Sequence, residues 1–134
     1  MSDSANSEKA AVILVPHAGG DRLSYGRILA GLSKDGDAYL FEMAGHGTRA
    51  DEDFSGSYGE ILEELLEFIK DIADKHDKYM LCGDSFGAFL CDNAYERLAV
   101  EGVKLPSHVV YGAVDPSRPS REYDIREVMR KSAA

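Results

Sequence analysis

The sequence predicts an α/β protein with a predominantly parallel sheet of about four strands and helices on both faces. Two observations carry this. Four apolar runs, at 11–16, 38–43, 79–82 and 108–114, have strand length and near-continuous hydrophobicity. They lack the in–out alternation of a half-solvated sheet and read as strands covered on both faces. Three helical patterns stand between them, so strand and helix alternate as right-handed crossovers require. A chain of 134 residues with 44% hydrophobic and 29% charged residues suits one globular domain with a real core.

The first helical pattern, 23–33, carries Leu23, Ile28, Leu29 and Leu32. The second and longest runs from Ser57 to about His76 and gathers Ile61, Leu65, Phe68, Ile69 and Ile72 on one face. Ser57 and Glu60 have capping-box spacing at its start, and Glu63, Glu64, Glu67, Lys70, Asp71 and Asp74 turn to solvent. The third runs from Phe86 to Glu101 and stops at Gly102, a residue suited to a helix C-terminus. Residues 45–56 form the longest irregular connection, polar enough to run over the surface. By composition, 1–10 reads as a disordered tail, 11–118 as the folded domain and 119–134 as a basic amphipathic segment.

A net charge of −9 disfavours nucleic acid and anionic membranes, which select basic surfaces. The polar amino terminus lacks the basic start and apolar core of a signal peptide. No apolar run approaches the ~20 residues of a membrane span, so a cytoplasmic protein is expected. Cys82 closes the third apolar run and Cys91 lies in the third helix. They could be a redox pair or an alternative nucleophile, but their apolar surroundings favour two small buried side chains. There is no G-x-x-x-x-G-K-[ST], no G-x-G-x-x-G after a strand, no H-E-x-x-H and no zinc-spaced Cys/His cluster. No nucleotide, metal or other cofactor is therefore expected.

Chemistry concentrates at Gly83-Asp84-Ser85-Phe86-Gly87, a G-x-S-x-G between a strand and a helix. That context reads as a nucleophile elbow, in which a sharp turn lifts the serine hydroxyl clear of the sheet. In a parallel sheet, ligands bind beyond the carboxyl ends of the strands. Ser85 follows the third strand, His17 of Pro16-His17-Ala18-Gly19-Gly20 the first, His46 the second and Asp115 the fourth. All four are expected on one rim. The amides of Phe86 and Ala18 suit an oxyanion hole. His76 and His108 precede their strands, which puts them at the opposite rim, about 15–20 Å away. Asp115 is either a histidine-orienting acid or an ordinary Asp-Pro turn residue. His17 and His46 could approach Ser85, or serve only as loop residues contacting backbone or ligand.

Pro16-His17-Ala18-Gly19-Gly20, Gly45-His46-Gly47-Thr48-Arg49 and Gly83-Asp84-Ser85-Phe86-Gly87, in this order and spacing, resemble the landmarks of the α/β-hydrolase thioesterases of nonribosomal peptide, polyketide and fatty-acid synthesis, including the type II editing forms. The resemblance covers roughly 11–118, the amino-terminal half of such an enzyme. It implies hydrolysis or transfer of an acyl group held as a thioester on the phosphopantetheine arm of an acyl or peptidyl carrier protein. Ser85 would be the nucleophile, Phe86 and Ala18 the oxyanion hole and Asp115 the triad acid. His17, Gly19, Gly20, His46 and Asp84 would line the site, with Asp84 standing where a histidine is frequent in the family. The family's catalytic histidine and lid would lie beyond Ala134. A serine without a base is a weak nucleophile, so little turnover is expected from this chain alone. An unprotected fourth strand then implies a homodimer or a complementing carboxyl-terminal half. The alternative is a non-catalytic module that binds a carrier protein through Arg118, Arg121, Arg126, Arg130 and Lys131; a flavodoxin-like binding domain shares the same strand logic.

Overall fold

A computed structural model describes residues 10–17, 20, 22–34, 36–43, 49, 51–52 and 57–112. Along them run β1 (Ala11–Val15), α1 (Arg22–Leu32), β2 (Asp37–Leu40), α2 (Tyr58–Lys75), β3 (Tyr79–Asp84), α3 (Phe86–Glu101) and β4 (His108–Gly112). The strands pair in parallel in the order β2-β1-β3-β4.

Strand pleating divides the core into two layers. Val12, Leu14, Met80 and Cys82 meet Tyr25, Leu29 and Leu32 of α1. Ala11, Ile13, Val15, Tyr79 and Leu81 face the other way, under Leu65, Leu66 and Ile69 of α2 and Leu90, Ala94 and Leu98 of α3. The central strands are thus covered on both faces, as expected. Among the described residues the β4 edge is less covered: Val109 and Val110 are half-buried and Tyr111 is 47% exposed. The apolar run of β4 reflects its own side chains. Coverage depends on where the helices sit, and they centre on β1 and β3.

The second helix begins where the sequence places it. Ser57 is extended at φ −153° and its Oγ accepts the Glu60 amide at 3.2 Å. Ser57→Ala should therefore lower stability by ~1 kcal/mol, read as a shifted urea midpoint with unchanged slope. The buried stripe is wider than the sequence suggests and includes Leu66 and Ala73. The third helix closes at Gly102, left-handed at φ 71°, with Val103 N–H donating back to Leu98 O at 3.0 Å.

Several boundaries move, and β2 covers Asp37–Leu40 rather than 38–43. Ala10, placed in the tail by composition, is 1% exposed, and its carbonyl accepts the Asp37 amide at 3.2 Å. β3 does not end at Cys82, because Gly83 and Asp84 stay in register with Tyr111 and Gly112. Cys82 and Cys91 are free and buried. Burial, with Asp92 adding in the same direction, pushes the Cys91 thiol up to about 12, which leaves it a packing residue. The tail at 1–9 and the segment at 113–134, with its basic cluster, lie outside the described residues. Among the described residues no helix is long and apolar enough to cross a membrane.

Candidate functional site

The strand order sets the position of the site. β1 connects through α1 to β2 on one side, while its neighbour β3 connects through α3 to β4 on the other. Adjacent strands whose connections diverge leave a crevice beyond their carboxyl ends. Val15 pairs with Gly83, so the chain leaves β1 at Pro16-His17 and β3 at Asp84-Ser85 at the same height.

Ser85 is the one non-glycine residue with positive φ among the described residues. Its φ of 53° and ψ of −112° put an L-residue in a region that costs about 1–3 kcal/mol. The turn reverses the chain from β3 into α3 within one residue. The Ser85 carbonyl starts the helix by accepting the Ala88 amide at 2.9 Å. Its side chain makes no cap hydrogen bond and the residue is exposed. The hydroxyl is therefore not consumed in capping its own helix.

Two glycines make this turn sterically feasible. A Cβ on Gly83 would lie 2.5 Å from Gly87 O and 2.7 Å from Ala88 Cα. A Cβ on Gly87 would run into Val15 O and lie 2.7 Å from Pro16 O. Helix α3 thus rests its first turn directly on the main chain of β1 and β3.

Behind the serine lies a buried polar relay. The His17 amide donates to Tyr25 Oη at 3.0 Å, and the Tyr25 hydroxyl donates to Asp84 Oδ2 at 2.7 Å. Tyr25 is 3% and Asp84 4% exposed. Burial drives the Tyr25 phenol well above its ordinary range; the His17 amide opposes this and Asp84 reinforces it. The group therefore remains a neutral donor. Gly20 completes the loop by donating to His17 O at 2.9 Å, where a Cβ would strike the Tyr25 ring at 2.9 Å. Asp84 is thus enclosed behind the turn while Ser85 beside it is open. Sequence reasoning misses Tyr25. The available signal is a hydroxyl-tipped ring on the apolar stripe with Leu29 and Leu32, since a buried tyrosine needs a partner for its hydroxyl.

Phe86 is half-buried, with its ring edge-on to Tyr58 at a centroid distance of 5.8 Å. Ala18, Gly19, His46 and Asp115 lie outside the described residues. His76 and His108 sit at the opposite rim, as their place before the strands implies. His76 is buried with Nε2 3.0 Å from the Tyr39 hydroxyl and 3.6 Å from Asp37, at the start of β2. His108 opens β4 and is exposed. Arg49 anchors the β2–α2 connection, bonding Glu52 at 2.9 Å, Glu64 at 3.0 Å and Glu42 O at 2.9 Å. It borders an open groove of about 670 Å³ between β2 and α2. Among the described residues no group of His, Cys, Asp and Glu is placed to hold a metal ion.

The layered sheet, its strand order and the turn at its switch point define an α/β-hydrolase type of fold, and solved thioesterases share it. The RedJ thioesterase of prodiginine biosynthesis in Streptomyces coelicolor superposes with a TM-score of 0.68 at 22% identity, covering 80% of this chain and 39% of its own. BorB, the type II thioesterase of the borrelidin cluster, gives 0.65 at 27% identity over 82% of this chain and 44% of its own. ClbQ of the colibactin NRPS/PKS pathway gives 0.65 at 19% identity over 82% and 46%. The chain thus spans less than half the length of each structure that it matches. No protein-family model matches the sequence, and no curated protein matches it closely enough to count as a relative.

Proposed function

We propose that this chain carries the nucleophile-bearing part of a serine thioesterase. Its substrates would be acyl thioesters held on carrier proteins of polyketide or nonribosomal peptide assembly, in the cytoplasm. The observation that carries the reading is the strained, exposed Ser85 at the switch point, because positive φ at a non-glycine residue persists only where the surroundings enforce it. Ser85 Oγ adds to the thioester carbonyl carbon and the Oγ proton passes to a base. The carbon–sulfur bond then breaks, and the phosphopantetheine sulfur departs as a thiol after taking that proton. Water cleaves the resulting serine ester to free acid. The amides of Phe86 and Ala18 receive the negative charge of each tetrahedral intermediate. Asp115 orients the general base, a histidine that on this reading belongs to the part of the longer thioesterases that this chain does not span.

The likeness in fold to the RedJ and BorB thioesterases supports the class of chemistry. The test is incubation with an alkyl fluorophosphonate followed by intact mass. With imidazole added as an external base in place of the histidine, one adduct per chain is expected on the folded protein and none on Ser85→Ala. A folded protein that takes no adduct overturns the reading and leaves a non-catalytic binding module on the same scaffold.

A further inference from the structure

We propose that Tyr58, Phe86 and Phe89 form an apolar shelf beside Ser85 that binds the acyl chain of the substrate, selecting hydrocarbon chains over polar peptidyl groups. Phe89 is 70% exposed and Tyr58 37% exposed, although aromatic rings of this size are ordinarily covered. Phe89 lies four residues beyond Ser85, and its amide approaches Ser85 O at 3.4 Å. A side chain on a helix leans toward the helix N-terminus, so the Phe89 ring inclines toward the serine. Tyr58, at the first turn of α2, stacks edge-on against Phe86 at 5.8 Å. Its hydroxyl accepts from Asn93 Nδ2 at 2.5 Å and lies 3.5 Å from Phe89 O. The phenol oxygen is thereby turned to α3, and what remains outward is ring surface.

Phe86 follows Ser85 directly, Tyr58 stacks on Phe86 and Phe89 lies one helical turn further on, and none of the three carries a charge. Continuity with Ser85 identifies the occupant. A group tethered through a carbonyl at Ser85 Oγ cannot move away from the turn, and a chain laid toward α2 must cross these rings. A hydrocarbon loses nothing by leaving water there, whereas a peptidyl group gives up hydration of its amides without new partners.

This inference rests on the acyl chemistry proposed for Ser85, but its test does not use that chemistry. The Ser85→Ala chain, unable to react, is titrated calorimetrically with straight-chain acyl N-acetylcysteamine thioesters of increasing length. Burial of a methylene on one side gains roughly twofold in affinity, so four added carbons should tighten binding by on the order of tenfold. Adding Phe89→Gln should flatten that dependence while Phe89→Leu retains it, both with unchanged thermal stability because the ring is exposed. Binding that ignores chain length, or keeps its dependence in Phe89→Gln, overturns the shelf. So does a chain that is dimeric as the wild type and monomeric as Phe89→Gln, which would assign the rings to a second copy. Failure of the Ser85 reading appears separately, as absence of the fluorophosphonate adduct.

Discussion

Gly87→Ala is expected to cost ~3 kcal/mol or more, a large part of the ~5–15 kcal/mol that holds a domain of this size together. The added methyl would occupy the space of Val15 O and press on Pro16 O. Both are main-chain atoms at the end of the central strand, which is fixed by pairing with β2 and β3. Overpacking a deformable core costs about 1–3 kcal/mol, occasionally more, and here no side chain can swing aside. Urea unfolding followed by circular dichroism should show a large fall in midpoint, or no soluble folded protein. Gly26→Ala is the control. It lies within α1, where an added methyl would have nothing within 4 Å, and the exchange should stabilise by about 0.5–1 kcal/mol. Equal stability of wild type and Gly87→Ala would show that α3 does not rest on β1 as described.

Tyr25→Phe should cost ~2 kcal/mol. The substitution keeps the ring against Gly20 and removes only the hydroxyl, which both accepts the His17 amide and donates to Asp84. Buried groups deprived of a partner lose about 1–3 kcal/mol, and a bond to a carboxylate lies in the upper part of that range. A double-mutant cycle with Asp84→Ala separates the pair from its parts. The two losses should fall short of adding, with a coupling of at least ~0.5 kcal/mol. Strict additivity would remove the Tyr25–Asp84 bond from the account. The loop at His17 is held by the same hydroxyl, so Tyr25→Phe should also raise the exchange rate of the His17 amide.

The helices and the layer order are legible in the sequence because each has a local signal. The third helix can be read to its terminal residues, from Phe86 after the G-x-S-x-G turn and from Gly102 at its end. The second announces itself through Ser57 and its repeating apolar stripe. The Tyr25–Asp84 bond joins residues 59 positions apart, and no local period encodes such a contact. Nor does hydrophobicity along β4 report that Tyr111 stands 47% exposed, because coverage is decided by where other elements stop. The rim positions of His17 and Ser85 follow from their places after parallel strands. What encloses Asp84 and opens Ser85 is a matter of tertiary packing, which no stretch of sequence spells out.

The register of β4 has a metric consequence. Among the described residues it has a strand neighbour on one side only, and Asp84 pairs with its Gly112. Parallel strands add in steps of ~4.8 Å, so the sheet is graduated like a ruler with its zero at the serine. A strand added beside β4 would end ~10 Å from that mark. A loop following such a strand would have to reach back across two strand widths to meet Ser85, so the outer margin of the sheet fixes the scale of any approach to it.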